Sequence, residues 1–408
     1  MLNKEILLKK CNKTVLITGS KLLASTNLFP AISLYCAGNR RHPQPIIAAL
    51  APGGQQFRNE ESGKVIAYLE RIKQPLRRLK AIGPSAPRGE THDRVSQRHD
   101  YPGSQSRHYS VYVPPGYRRD KPLPLVMVLH GCRQDHRDIQ LVSDFDCVAD
   151  RYNFIVVYPF VTRYTDLRAR NCWGWWRPEQ IKPGAGEVED LWRIVGEVAG
   201  EFAIDQRRVH IAGLSSGGAM AVAALTVHAG RFASGAAVAG VPYGESASAV
   251  ALPYTLMRRY RPLDTTVALM EKARDSDRTP APICIVHSHN DDTVHIQAGK
   301  NLRDSWIEYF GPQKKLSKRK RKKSTHGVPW SHTRYGKRFG KSVVETIFLA
   351  GPDHGWYGGS PGRFSYPAGP DVSKLLWKFF RKHRLMSDGT TSGVAMRGRQ
   401  SDHAGFGR

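Results

Sequence analysis

Val209-His-Ile-Ala-Gly213-Leu-Ser215-Ser-Gly217-Gly-Ala-Met220 is the stretch on which the reading of this chain turns. Val209 to Ala212 is a short apolar run of strand type, and Gly218 to Ala229 is a helix of small residues. Between them lies Gly-x-Ser-x-Gly, a pattern that needs this strand–turn–helix setting to carry chemistry. Glycine at 213 and 217 leaves room for neighbouring backbone, and a tight, strained turn lifts the Ser215 hydroxyl clear of the sheet end. Ser216 matters more for its backbone N–H than for its hydroxyl. The alternative is an inert glycine-rich turn.

Outward from this turn, short runs apolar on both faces recur. They are Ser110–Val113, Leu125–Leu129, Phe154–Tyr158, Ser234–Ala239, Ile283–Val286 and Val343–Ala350. Such runs suit buried strands of a parallel sheet. Helical spacing fills the intervals at 186–202, 217–229, 296–309 and 371–382. Alternation of this kind predicts an α/β fold with helices on both faces of a mostly parallel central sheet.

A serine hydroxyl is a weak nucleophile near neutral pH and needs a histidine base held by a carboxylate. In the order Ser, acid, His, both partners should follow later strands. His354 lies just past Val343–Ala350, in Gly351-Pro-Asp-His354-Gly. Asp291 lies just past Ile283–Val286, in His287-Ser-His-Asn-Asp291-Asp-Thr-Val294, with Asp292 a competitor. Asp353 is a sequence neighbour of His354 and suits the role poorly. The developing oxyanion needs two backbone donors, and Ser216 N–H and Cys132 N–H, after the strand 125–129, are the candidates.

Other patterns compete. His287-x-His289-x-Asp291 could feed a hydrolytic metal centre, but that reading leaves the 213–217 turn unexplained; no metal and no cofactor is expected. Trp173, Trp175 and Trp176 form a cluster that either lines a substrate groove or packs over the sheet. Glu187 is read as a helix start. The six cysteines are dispersed without a CxxC pair, so zinc-finger spacing is absent. A Cys132–Cys172 disulfide stays open against single, unpaired cysteines.

The chain has 408 residues, with 62 Lys and Arg against 35 Asp and Glu, a formal charge of +27. That balance favours anionic surfaces without naming one, and no obligatory nucleic-acid partner is expected. The concentrated part is Lys314–Lys323, read as a solvated loop insertion with weak polyanion contact as the alternative. A non-catalytic polyanion-binding protein on a hydrolase scaffold is the reading of another class. No apolar stretch is long enough for a transmembrane span. The basic start and Cys36-Ala-Gly leave a leader and secretion open, a cytoplasmic location being the default. A basic helix is expected at 65–80 and a linker at 83–107. Residues 1–105 are read as an extension, 106–385 as the main domain and 386–408 as a flexible tail. Oligomeric state is not legible.

Several segments together resemble the polyhydroxybutyrate depolymerase family of esterases, which are α/β-hydrolases related to feruloyl and acetylxylan esterases. They are Tyr112-Val-Pro-Pro-Gly-Tyr117, Leu129-His-Gly-Cys132, Asn171-Cys-Trp173, Gly213–Met220, Asp353-His-Gly-Trp-Tyr-Gly-Gly359 and Gly369-Pro-Asp-Val-Ser373. The resemblance runs from about residue 106 to 383. It implies an ester substrate and a Ser-His-Asp triad at Ser215, His354 and Asp291, the last favoured over Asp292. The family usually carries glycine where Ser288 stands and alanine where Gly355 stands, and the lysine-rich run is unlike its usual form.

Overall fold

The structure, a computed structural model, describes residues 86–161, 171–246, 260–274, 280–311, 316–337 and 340–386, and the backbone of three strands nearer the N-terminus. The chain divides into two compact units, Met1–Gly83 and Pro84–Arg408. In the first, β1 (Ile6–Leu8), β2 (Val15–Ser20) and β3 (Ala31–Cys36) form an antiparallel sheet in the order β1-β2-β3. The helix expected at 65–80 and the tail after residue 386 lie outside the described residues.

The second unit is built on a sheet whose parallel centre comprises β6 (Leu123–Leu129), β7 (Ile155–Pro159), β8 (Ile204–Leu214), β9 (Ser234–Val238), β10 (Ile283–Ser288) and β13 (Ser342–Leu349). Every residue of β6, β7, β9 and β10 is buried, which is why these runs read as unbroken apolar stretches rather than alternating ones. Antiparallel strands flank the centre. β5 (Arg107–Val113) and β4 (Glu90–Ser96) lie on one side, and β12 (Val328–Gly336) and β11 (Ser317–Thr325) on the other.

Helices close both faces. One layer holds α3 (Gly186–Glu201), α4 (Ser216–Val227), α5 (Leu263–Ala273) and α6 (Ile296–Tyr309) around Leu191, Leu225, Met270 and Trp306. The other holds α1 (His136–Ser143), α2 (Phe145–Tyr152) and α7 (Val372–Phe380) around Ile139, Phe145, Trp356 and Phe379. The expected α/β architecture with helices on both faces is what the chain adopts.

Two expectations are corrected. Residues 90–96, read as linker, are the outer strand β4, and the compact unit opens at Pro84 rather than residue 106. β4 has almost no apolar pattern because polar side chains hold it. Arg94 pairs with Glu201, Ser96 Oγ donates to Glu197 at 2.6 Å, and Ser110 Oγ donates to Asp93 at 2.8 Å. The basic run, of which residues 314 and 315 lie outside the described residues, is likewise not a loop from residue 317 onward. Its residues 317–323 belong to β11, which turns at His326-Gly327 into β12. β12 anchors this hairpin by burying Trp330, Thr333 and Tyr335.

Candidate active site

β8 ends at Leu214, and the next residue, Ser215, has φ 56° and ψ −116°. A side chain held at positive φ is strained and persists only where its surroundings force it. Here the forcing is steric. A Cβ on Gly213 would lie 2.3 Å from the Gly217 carbonyl, and one on Gly217 would lie 2.5 Å from the Leu129 and His130 carbonyl oxygens. The chain can make this bend only with glycine at both positions. Ser215 N–H donates to Val238 O at 2.8 Å, pinning the bend to the end of β9.

The strand registers bring three loops to one edge of the sheet. Leu214 pairs with Val238, Val238 with Val286, and Val286 with Ile347. Ser215, Asp291 and His354 all follow these aligned positions. Asp291 and His354 meet directly, with 2.8 Å between Oδ2 and Nδ1. The other oxygen of Asp291 accepts the Thr293 and Val294 N–H groups at 3.1 and 2.7 Å. Val294 packs inward, as expected, and Asp291 is buried while Asp292 is exposed. Asp353 Oδ1 accepts the His354 backbone N–H at 2.7 Å, so it braces the loop rather than the imidazole. Ser215 Oγ has no hydrogen bond to a described residue. Contacts of this kind often form only when substrate is bound.

His130-Gly131-Cys132-Arg133 follows β6 and lies against the serine, since a Cβ on Gly131 would be 3.4 Å from Ser215 Cβ. Gly131 N–H is already taken by Gln134 Oε1 at 2.9 Å, whereas no described residue accepts from Cys132 N–H or Ser216 N–H. Gln134 Nε2 in turn donates to Arg363 O at 2.8 Å, and the adjacent Phe364 ring stands edge-on to His354 with centroids 6.1 Å apart. Gln134 therefore links the donor loop to the histidine side. Sequence reasoning missed it, although a glutamine three residues after a turn glycine was a readable signal. Burial pushes the His130 imidazole down to about 4. Its neutral ring donates from Nδ1 to Gly131 O at 2.9 Å and accepts Val161 N–H at Nε2 at 3.2 Å, the tautomer following from these partners.

The sequence profile of the family described as Esterase PHB depolymerase matches residues 107–321. The chain belongs to that family. The matched range includes Ser215 and Asp291, and His354 lies beyond it. Poly(3-hydroxyalkanoate) depolymerase C of Paucimonas lemoignei is 28% identical over 237 residues, 57% of this chain and 55% of that protein. Feruloyl esterase B of Neurospora crassa is 29% identical over 133 residues, 32% of this chain and 44% of that protein. The chain thus spans about half the length of the curated relatives it matches. Among solved structures, acetyl xylan esterase from Aspergillus awamori superposes with a TM-score of 0.56 at 17% identity, over 72% of this chain and 99% of that one. That likeness establishes the α/β-hydrolase fold.

Within this PHB depolymerase family member the tryptophan cluster divides. Trp173 has no solvent-exposed surface, so it is not a groove residue; its Nε1–H donates to His130 O at 3.1 Å beneath the donor loop. Trp175 is nearly buried, Trp176 is half-buried, and the two rings meet edge to face. Cys172, beside Trp173, forms a disulfide with Cys132, while Cys284 is a free, buried thiol. Glu187 does lie in the first turn of α3, but it faces inward and its Oε2 accepts Gly174 N–H at 2.6 Å. Arg107, unforeseen from sequence, is fully buried, 2.8 Å from Asp190 and 3.9 Å from Glu187. This charged cluster, the disulfide and the Trp173 bond together hold the donor loop from behind.

The His-x-His-x-Asp string does not converge on one point. His287 is buried and donates from Nε2 to Val294 O at 2.7 Å, supporting the Asp291 loop. His289 packs against Phe348 instead. Among the described residues the one cluster with ligand-like spacing is Asp291, Asp292 and Asp353, and both Asp291 oxygens are already engaged. No described helix is long and apolar enough to cross a membrane.

Proposed function

We propose that this chain is a serine hydrolase of carboxylic esters, acting through Ser215, His354 and Asp291. The observation that carries the reading is the Asp291–His354 hydrogen bond at the sheet edge where Ser215 is held in a strained bend. Ser215 Oγ attacks the ester carbonyl carbon while its proton passes to His354 Nε2. Asp291 keeps the imidazole oriented through Nδ1–H and stabilises the imidazolium. The Cys132 and Ser216 N–H groups receive the oxyanion. Collapse of the tetrahedral adduct expels the alcohol, which takes the proton from His354. Water then gives a proton to His354 and attacks the acyl carbon, and the second adduct collapses as Ser215 Oγ leaves and takes that proton back from His354, releasing the carboxylic acid.

The substrate we propose is hydroxyalkanoate polyester or its oligomers, on the strength of the match to poly(3-hydroxyalkanoate) depolymerase C. A feruloyl or acetylxylan ester is the second reading, favoured by the feruloyl esterase B match. Disulfides persist in oxidising compartments, so the Cys132–Cys172 bridge favours a site of action outside the cytoplasm. Treatment with a fluorophosphonate should label Ser215, identified by peptide mass spectrometry, and Ser215→Ala should lose both the label and the acyl-enzyme burst. A label retained on the variant overturns the assignment. Relative kcat/KM on 3-hydroxybutyrate trimer, a short-chain nitrophenyl ester and methyl ferulate decides between the substrate classes.

A further inference from the structure

The β11–β12 hairpin carries more charge than the ester chemistry uses, and its strand pairing sorts that charge by face. Lys318, Lys320 and Lys322 stand opposite Tyr335, Thr333 and Ser331 of β12, so these six share one side of the sheet. Tyr335, Thr333 and Ser331 in turn pair with Val344, Thr346 and Phe348 of β13. Phe348 pairs with His287, against which α6 packs at Gly299. The row therefore lies on the α6 side. There Lys318 and Lys320 bound a cleft of about 200 Å³, which Lys300 and Arg303 of α6 and His289 close from the other side, and Lys322 continues the row beyond the cleft lining.

Its floor is a ladder of hydroxyls from Ser331, Thr333 and Tyr335, and no carboxylate lines it. Arg303 is paired with Asp304 on its own helix, at 2.7 Å through two nitrogens, and Lys318 lies 5.9 Å from the Tyr335 ring centroid. Charged edge strands also serve to prevent pairing between sheets. That purpose asks for a charge or two on the edge itself. It does not account for Lys300 and Arg303, which come from a helix and face the same cleft.

We infer that this cleft is a binding site for a linear anionic polysaccharide bearing carboxylates, a polyuronate. Lysines two residues apart on a strand repeat at about 7 Å, and three in line with the α6 cations match a chain of spaced negative charges. The hydroxyl floor suits a hydroxylated backbone. The large exposed apolar residues among those described are Val95, Leu141, Leu263 and Met386, none of them on the hairpin. The two aromatic rings of the cleft lining, Tyr335 and Phe348, are buried, so no exposed Phe, Tyr or Trp ring of the described hairpin offers a platform for unstacked bases, and no exposed apolar face there enters a bilayer. The inference goes beyond the ester hydrolysis proposed above and does not depend on it.

The test is binding of fluorescein-labelled polygalacturonate to the full chain, read by anisotropy at about 0.15 M ionic strength, where the screening length is about 8 Å. Lys318→Gln/Lys320→Gln/Lys322→Gln removes three charges from the α6 face, and Arg319→Gln/Arg321→Gln/Lys323→Gln removes three from the opposite face. The first should weaken binding about tenfold or more and the second much less, because screening confines each charge to its own face. Lys300→Gln, which leaves the hairpin untouched, should also weaken binding. Equal loss in both triple variants, or no effect of Lys300→Gln, overturns the site. Tighter binding of a thymidine oligonucleotide or of phosphatidylglycerol vesicles than of polygalacturonate overturns the occupant.

Discussion

Asp291 Oδ2 and His354 Nδ1 are 2.8 Å apart although 63 residues separate them in the chain. Parallel pairing of β10 with β13 produces this meeting, because it sets the two following loops side by side. Ser288 Oγ donates to Pro352 O and fastens the loops together.

The two neighbouring aspartates should separate cleanly in kinetics. Asp291→Asn keeps the shape but reverses the hydrogen-bonding demand on His354, and kcat on a short-chain nitrophenyl ester should fall about 10⁴-fold. Asp292→Asn, at an exposed position, should stay near the unsubstituted rate. A large loss from the second with none from the first would reassign the acid.

Gln134 spans the donor loop and the Arg363 carbonyl. In Gln134→Leu both bonds go, Gly131 N–H is left unpaired, and the Cys132 N–H loses its fixed aim. A misplacement of this kind should lower kcat on the order of tenfold to a hundredfold with little change in KM. Steady-state kinetics beside a thermal melt distinguishes this effect from unfolding.

Glu345 controls part of the acid stability. Burial alone would raise its carboxyl, but hydrogen bonds from His332 and Ser342 and the charge of Lys382 outweigh that and hold it at about 2. The folded value lies below the unfolded one of about 4.5, so the unfolded chain binds the proton first as pH falls. The contribution is present above pH 4.5 or so and is lost towards pH 2, on the order of 3 kcal/mol in all. Urea unfolding across that interval should show a shallower acid slope for Glu345→Gln than for the parent chain.

Gly355 directly follows the candidate base His354. A Cβ there would lie 2.5 Å from the Phe364 carbonyl oxygen. Gly355→Ala must therefore move the Phe364 backbone beside the His354 ring, and should cost about 1–3 kcal/mol along with some catalytic rate. Chemical denaturation gives the first quantity and ester turnover the second. An unchanged stability would mean that this segment yields freely.

The buried strands, the Gly213–Gly217 bend, α3, α6 and the segments following β10 and β13 were legible from sequence, because continuous apolar runs and glycine spacing report local demands. β4 and β11 were not, since an outer strand held by salt links or carrying lysine on both faces has no apolar signature. Nor could Arg107, the Gln134 link to Arg363 or the Cys132–Cys172 bridge be fixed, because those partners are distant in the chain and meet only in the folded molecule. Residue order alone dictated which strand would be followed by a serine, which by an aspartate and which by a histidine. The register of the folded sheet decided that the aspartate at 291, rather than its neighbour, faces that histidine, because a hydrogen bond depends on distance and direction in space.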